Sequence, residues 1–115
     1  MYDLIFYTTS QEESPVDEFL DFLGEKPRAK VERFLGHLKA VGPNLPRPYA
    51  DTLRGKIREL RAHYGDDQYR ILYFGAPGRV FVLLHAFEKR SEKIPEREVR
   101  TAAARMQTYL KEDRR

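Results

Sequence analysis

The sequence predicts an α+β domain, in the order β-α-α-β-β-β-α, with a helical hairpin packed on one face of a mainly antiparallel twisted sheet. Three observations carry this. Two early stretches place apolar residues at helical spacing. Three later stretches, separated by glycine-containing turns, alternate or run continuously apolar and aromatic. A final amphipathic stretch returns to the helical period. The 115 residues make one domain, 1–115, long enough for a single core and too short for two.

Met1 to Thr8 reads as a strand with Tyr2, Leu4 and Phe6 on one side and Ile5 and Tyr7 on the other, which predicts cover on both faces. Ser14 is the expected N-cap of a helix with Pro15 at its first position, where a missing amide hydrogen costs nothing. Val16, Phe19, Leu20 and Leu23 form its apolar stripe, and Gly24 ends it. A second helix is expected from near Pro27 to about Val41, with Val31, Phe34, Leu35, Leu38 and Val41 buried against the sheet. The short link predicts an antiparallel pair.

Gly42 to Pro48, with three prolines, is a loop, and Leu53 and Gly55 lead into the second strand. In Lys56 to Phe74, apolar Leu60 and Ala62 alternate with Glu59, Arg61 and His63; Gly65-Asp66-Asp67 is turn chemistry; and Tyr69 to Phe74 is a central strand. A second turn, Gly75 to Gly78, precedes the most hydrophobic strand, Arg79 to Phe87, so the three strands form a meander. The polar run Glu88 to Pro95 opens the last helix. Its apolar face is Val99, Ala102 or Ala103, Met106 and Leu110, and Lys111, Arg114 and Arg115 suit its C-terminus. With helices on one face, the other is expected to be free for binding.

Charge narrows the function. Residues 1–25 hold seven acidic residues and no Lys or Arg, leaving 21 basic against 11 acidic residues afterwards, a net +10. Such a split suits a nucleic-acid partner, and equally an ordinary solvated basic surface. No apolar run approaches the ~20 residues of a membrane span. Met1 to Ser10 lacks signal-peptide character, so a cytoplasmic protein is expected. There is no cysteine, and His37, His63 and His85 have no ligand-like spacing, so neither metal nor cofactor is expected. His85, in an apolar strand, reads as a satisfied core histidine.

What remains is a cationic constellation: Arg58, Glu59, Arg61, His63, Tyr69, Arg70, Lys89, Arg90 and Lys93. Strand alternation puts Glu59, Arg61 and His63 on one face and Arg58 with Leu60 on the other, which weakens Arg58 as a candidate. The set suits metal-independent cleavage of RNA. A base takes the 2′-hydroxyl proton, cations stabilise the charged transition state, and arginine or tyrosine stacks an unpaired base. The competing reading is a salt-bridge lattice joining Glu59 to Arg61 or Arg70.

LRGKIRELR, YRILYF, LLHAFEKRSEKIP and a terminal helix containing ARM together resemble the RelE/ParE toxin superfamily, and within it the HigB-like, phage-derived branch. The resemblance runs from about Leu53 to the C-terminus. It implies a type II toxin that enters the ribosomal A site, cuts mRNA and is held inactive by an antitoxin, a helix-turn-helix protein of the adjacent gene; DNA would be met only through the toxin–antitoxin complex. By position, Arg70 matches the arginine near the scissile phosphate, Arg61 another cation of the concave face, and Lys89 or Arg90 the cation after the last core strand. Glu59 stands where relatives place lysine or an acid serving as base. The late tyrosine of some RNases and the histidine-rich ending of other HigB relatives are missing. The residue pattern and the resemblance together give an expected catalytic set of Arg61, Arg70, Glu59, His63, Lys89 and Arg90, with Lys56, Arg58, Tyr69 and Lys93 binding RNA. ParE-type relatives share the fold and poison gyrase, so a noncatalytic toxin stays open, as does a basic nucleic-acid-binding module.

Overall fold

The computed structural model describes residues 1–113; Arg114 and Arg115, expected at the end of the last helix, lie outside the described residues. Strand β1 (Asp3–Phe6) is followed by helices α1 (Pro15–Phe22) and α2 (Glu25–Val41) and a 3-10 turn at Gly42–Asn44. Strands β2 (Ala50–Arg54), β3 (Ile57–Tyr64), β4 (Asp67–Ala76) and β5 (Val80–Lys89) then lead to helix α3 (Glu96–Asp113). The sheet order is β1-β5-β4-β3-β2, antiparallel except where β1 runs parallel to β5.

The meander forms because its connections are too short for anything else. Tyr64 pairs with Asp67, leaving a two-residue turn of Gly65 and Asp66. Gly65 takes φ +60°, a conformation that glycine reaches without Cβ strain. Helices α1 and α2 are separated by Leu23 and Gly24 alone, which turns the chain back into the expected hairpin. Val16, Leu20, Val31 and Leu38 from the hairpin are buried against Leu60, Ile71 and Leu83 of the sheet. At ~1.5–3 kcal/mol for each large aliphatic side chain buried, this layer is the main source of stability, and truncating fully buried Leu38 to alanine costs ~2–5 kcal/mol.

Several expectations need correction. An additional strand, β2, occupies the sheet edge where a lead-in was expected; Asp51 and Thr52 hide it because an edge strand tolerates polar residues. Strand β1 is the other edge, with Ile5 exposed rather than covered. Helix α2 starts at Glu25, before Pro27, whose missing amide hydrogen falls in the first turn, where it has no intrahelical partner. Ser14 precedes α1 as an N-cap would, yet its hydroxyl caps nothing and is buried without a hydrogen bond. Strand β4 runs on through Gly75, so the turn begins only at Pro77.

The largest correction concerns the face opposite the hairpin. It is not free: α3 lies on it, and Ala102, Ala103, Met106 and Leu110 pack with Leu72, Phe74, Val82 and Leu84. What stays open is the part of that face on β3 and β4 that α3 does not reach. No helix among the described residues is long and apolar enough to cross a membrane.

Candidate functional site

The uncovered part of the face is built by register. Between β3 and β4, Arg61 pairs with Arg70, Glu59 with Leu72 and His63 with Gln68. Because side chains alternate along a strand, Glu59, Arg61 and His63 share the face that Arg70 occupies on its neighbour. Like charges directly opposite one another repel, and Glu59 answers that repulsion. Its Oε1 accepts from Arg61 Nε at 2.8 Å and lies 2.7 Å from Arg61 Nη2. Its Oε2 lies 3.8 Å from Arg70 Nε, too far for a hydrogen bond, and both atoms are buried without any partner.

Glu59 is 5% exposed and Arg70 9%, whereas the Arg61 side chain is about one-third exposed, at 34%. Arg70 donates from Nη1 to the Tyr69 carbonyl at 3.0 Å. Burial pulls the Arg70 guanidinium below its ordinary value; Glu59 opposes that and Arg61 adds to it. The pair is thus a cationic centre in which Glu59 is the one carboxylate that approaches both guanidiniums.

A cavity of about 330 Å³ opens beside it, lined by Glu59, Arg61, Arg70, Arg54, Lys89 and Lys93 among others. Lys89 arrives from the end of β5 and Lys93 from the segment entering α3, so residues about 30 positions apart in the chain converge. Arg54, which sequence reasoning missed, reaches the cavity from β2 and makes a bidentate ion pair with Glu96 at the start of α3. Asp51, also missed, accepts from Arg47 at 2.9 Å and lies 3.5 Å from Arg61. Burial raises the Asp51 carboxyl, but the Thr52 amide, Arg47 and Arg61 together hold it below its ordinary value. The signal for both was present only as charged residues around a tight Gly55 turn.

Other expected residues lie elsewhere. Arg58 is on the hairpin face, donating to Thr52 Oγ1 at 3.1 Å and to the Tyr73 hydroxyl at 3.4 Å. Tyr69 is 3% exposed, its ring edge-on to Phe19 under the hairpin, so it has no face to offer a base. Arg90 points away, 3.3 Å from Glu88, and lines a different cavity with Arg97 and Glu98; of the two alternatives after the last strand, Lys89 is the one at the site. Lys56 is exposed in the β2–β3 turn. His63 is exposed and lines a second cavity, also of about 330 Å³, that shares Arg61 and Arg70 with the first.

The family described as Phage derived protein Gp49-like matches residues 18–107, which cover most of α1, all of α2, the meander and most of α3. The chain belongs to this family. Gp49-like proteins are RelE/toxin-like and phage-derived, which agrees with the helices-on-sheet architecture. Among curated proteins, nothing matches.

Away from this cavity, His85 is a satisfied core histidine. A bulge in β5 leaves Leu84 unpaired between the Tyr73–Leu83 and Leu72–His85 pairs, turning His85 toward α3. There it lies 2.9 Å from Glu98 Oε1 and 3.1 Å from Arg105 Nη1. Since Arg105 can only donate, Nδ1 accepts and Nε2–H donates to Glu98. Among the described residues, no three His, Cys, Asp or Glu side chains are grouped to hold a metal ion.

Proposed function

We propose that this Gp49-like protein is the toxin of a type II toxin–antitoxin pair, acting as a ribosome-dependent mRNA endoribonuclease of the HigB-like kind in the cytoplasm. The observation that carries the reading is the Arg61–Arg70 pair, opposed across two strands and braced by the buried Glu59 carboxylate, in a cavity that Lys89 and Lys93 also line. A protein does not need two facing guanidiniums for stability; a phosphate between them gains charge-assisted, bidentate contacts.

In this mechanism Arg61 and Arg70 hold the scissile phosphate and stabilise the charge that builds on its oxygens. His63, exposed in the cavity that contains both arginines, takes the proton of the 2′-hydroxyl. The 2′-oxygen then bonds to phosphorus, the bond to the 5′-oxygen breaks, and that oxygen takes up a proton. The Lys89 and Lys93 ammonium groups, lining the same cavity, are the donors; Lys89 Nζ also donates to the Ser91 carbonyl at 2.6 Å. Glu59 orients the arginines, because its Oε2 is shut off from solvent.

The chain of ion pairs from Arg47 through Asp51 and Arg61 to Glu59 favours a second reading, a surface that binds without cutting, as in a gyrase-directed toxin. Messenger cleavage in a translating extract separates the two. The parent cuts, Arg61→Ala and Arg70→Ala do not, and melting curves show whether the buried Arg70 variant is folded. Undiminished cutting by both variants removes this site; inhibited supercoiling with intact translation selects the second reading.

A further inference from the structure

We propose that the second cavity beside the arginine pair is a nucleobase subsite, in which an unpaired base stacks on Tyr49. This rests on the RNA-cutting reading and adds a specificity site to it. Arg61 and Arg70 form the wall between two cavities of different chemistry. On one side the charged groups Arg54, Glu59, Lys89, Glu92 and Lys93 predominate, with Leu53, Ile94 and Val99 among them. On the other are Phe34, Pro48, Tyr49, His63 and Gln68, with no lysine and no carboxylate. A nucleotide has the same asymmetry: an anionic phosphate at one end and a flat, polar-edged ring at the other.

The rings on the second side form one cluster. Phe34, 7% exposed, is the floor; its centroid lies 5.7 Å from His63 and 6.3 Å from Tyr49, and His37 stands edge-on to Tyr49 at 6.2 Å. Tyr49 is 40% exposed, and His37 and His63 are exposed too, so three rings around a buried fourth are left facing water. Aromatic side chains beside cations make stacking platforms for single-stranded nucleic acid, because every base has a π-face. The platform is held by its backbone: the Arg61 amide donates to the Tyr49 carbonyl at 2.8 Å, and the Tyr49 amide to the Pro46 carbonyl at 2.9 Å. Little ordering is therefore left for the ligand to impose. Gln68, paired with His63 across the strands, brings an amide that both donates and accepts toward a base edge.

The test uses a short single-stranded oligoribonucleotide carrying 2-aminopurine, whose fluorescence is quenched by stacking. Saturating parent protein quenches it. Tyr49→Ala abolishes the quenching and weakens binding roughly 5- to 150-fold, Tyr49→Phe restores both, and Tyr64→Ala, which removes an exposed tyrosine outside both cavities, matches the parent. With an abasic nucleotide in place of the probe, parent and Tyr49→Ala bind alike. Quenching and affinity unchanged in Tyr49→Ala overturn the subsite. So does displacement of the parent's quenching only by a protein partner and not by unlabelled RNA. In the translating extract, cutting by Tyr49→Ala at the parent's rate and positions overturns the base site and leaves the nuclease standing. Quenching by a parent that does not cut leaves the base site standing and removes the nuclease.

Discussion

Arg61 on β3 faces Arg70 on β4, and the carboxylate of Glu59 reaches both, at 2.7 Å and 3.8 Å. Two cations held opposite each other across a ladder cost energy in an unliganded sheet. Glu59 is the anion beside Arg70, and Arg61 is offset by both Glu59 and Asp51.

The brace can be removed without changing its shape. In Glu59→Gln, Arg70 is left buried beside a neutral group, and unfolding free energy falls by ~3 kcal/mol. Most of that loss belongs to Arg70, because Arg61 is about one-third exposed and its share is screened by solvent. Urea denaturation checks this. An unshifted midpoint would mean that Glu59 is not the brace.

Lys89 and Lys93 should act through the phosphate backbone. On single-stranded RNA, each phosphate contact contributes about −0.7 to the slope of log affinity against log salt. Lys89→Ala therefore flattens the slope by about 0.7 and the double variant by about 1.4, while Lys26→Ala, exposed at the start of α2 and outside both cavities, leaves it alone. Filter binding at 50 to 300 mM salt gives the three slopes; identical slopes would take the lysines out of the RNA path.

His85 makes stability depend on pH. Burial lowers its pKa below the ordinary 6.5, Glu98 partly offsets this, and Arg105 adds to the lowering. The folded state thus takes up the proton less readily than the unfolded chain. Well above pH 6.5 both states are neutral and nothing changes. As the pH falls below that value the unfolded state is protonated first and stability is lost. Denaturation midpoints between pH 7.5 and about 5 should decline in the parent and decline less in His85→Gln. Equal declines would show that another group titrates.

Gly42 is required by its neighbour as well as by its backbone. It ends α2 at φ +75°, and a Cβ there would lie 2.4 Å from the Tyr2 ring. Gly42→Ala should cost ~2–3 kcal/mol or more, since strain and overlap add. The companion Gly36→Ala meets nothing within 4 Å and sits inside α2, so it should be neutral or stabilising by ~1 kcal/mol. A thermal melt of each is sufficient; similar melting temperatures for the two would contradict the contact with Tyr2.

The hairpin, the meander and the last helix were legible because each has a local signature: stripes such as Val31, Phe34, Leu35 and Leu38, glycines at turns, and a helix-period return at Val99. Separating Arg58 from Glu59, Arg61 and His63 followed from strand alternation. The register that sets Arg61 opposite Arg70 needed the two-residue turn, shorter than the expected Gly65-Asp66-Asp67. Strand β2 escaped because Ala50–Arg54 is short and polar, as an edge allows. Tyr69 was read as a stacking residue because an aromatic on a strand has the same appearance whether it faces the groove or the hairpin core.

By itself the sequence determined the elements, their order and a basic surface, because periodicity and turn chemistry act over a few residues. Only the tertiary structure decided that α3 covers half of the second face, that Lys89 rather than Arg90 joins the arginines, and that Arg54 and Tyr49 flank them. Those outcomes depend on register, on the bulge at Leu84 and on packing between distant segments, none of which leaves a trace in the spacing of neighbouring residues.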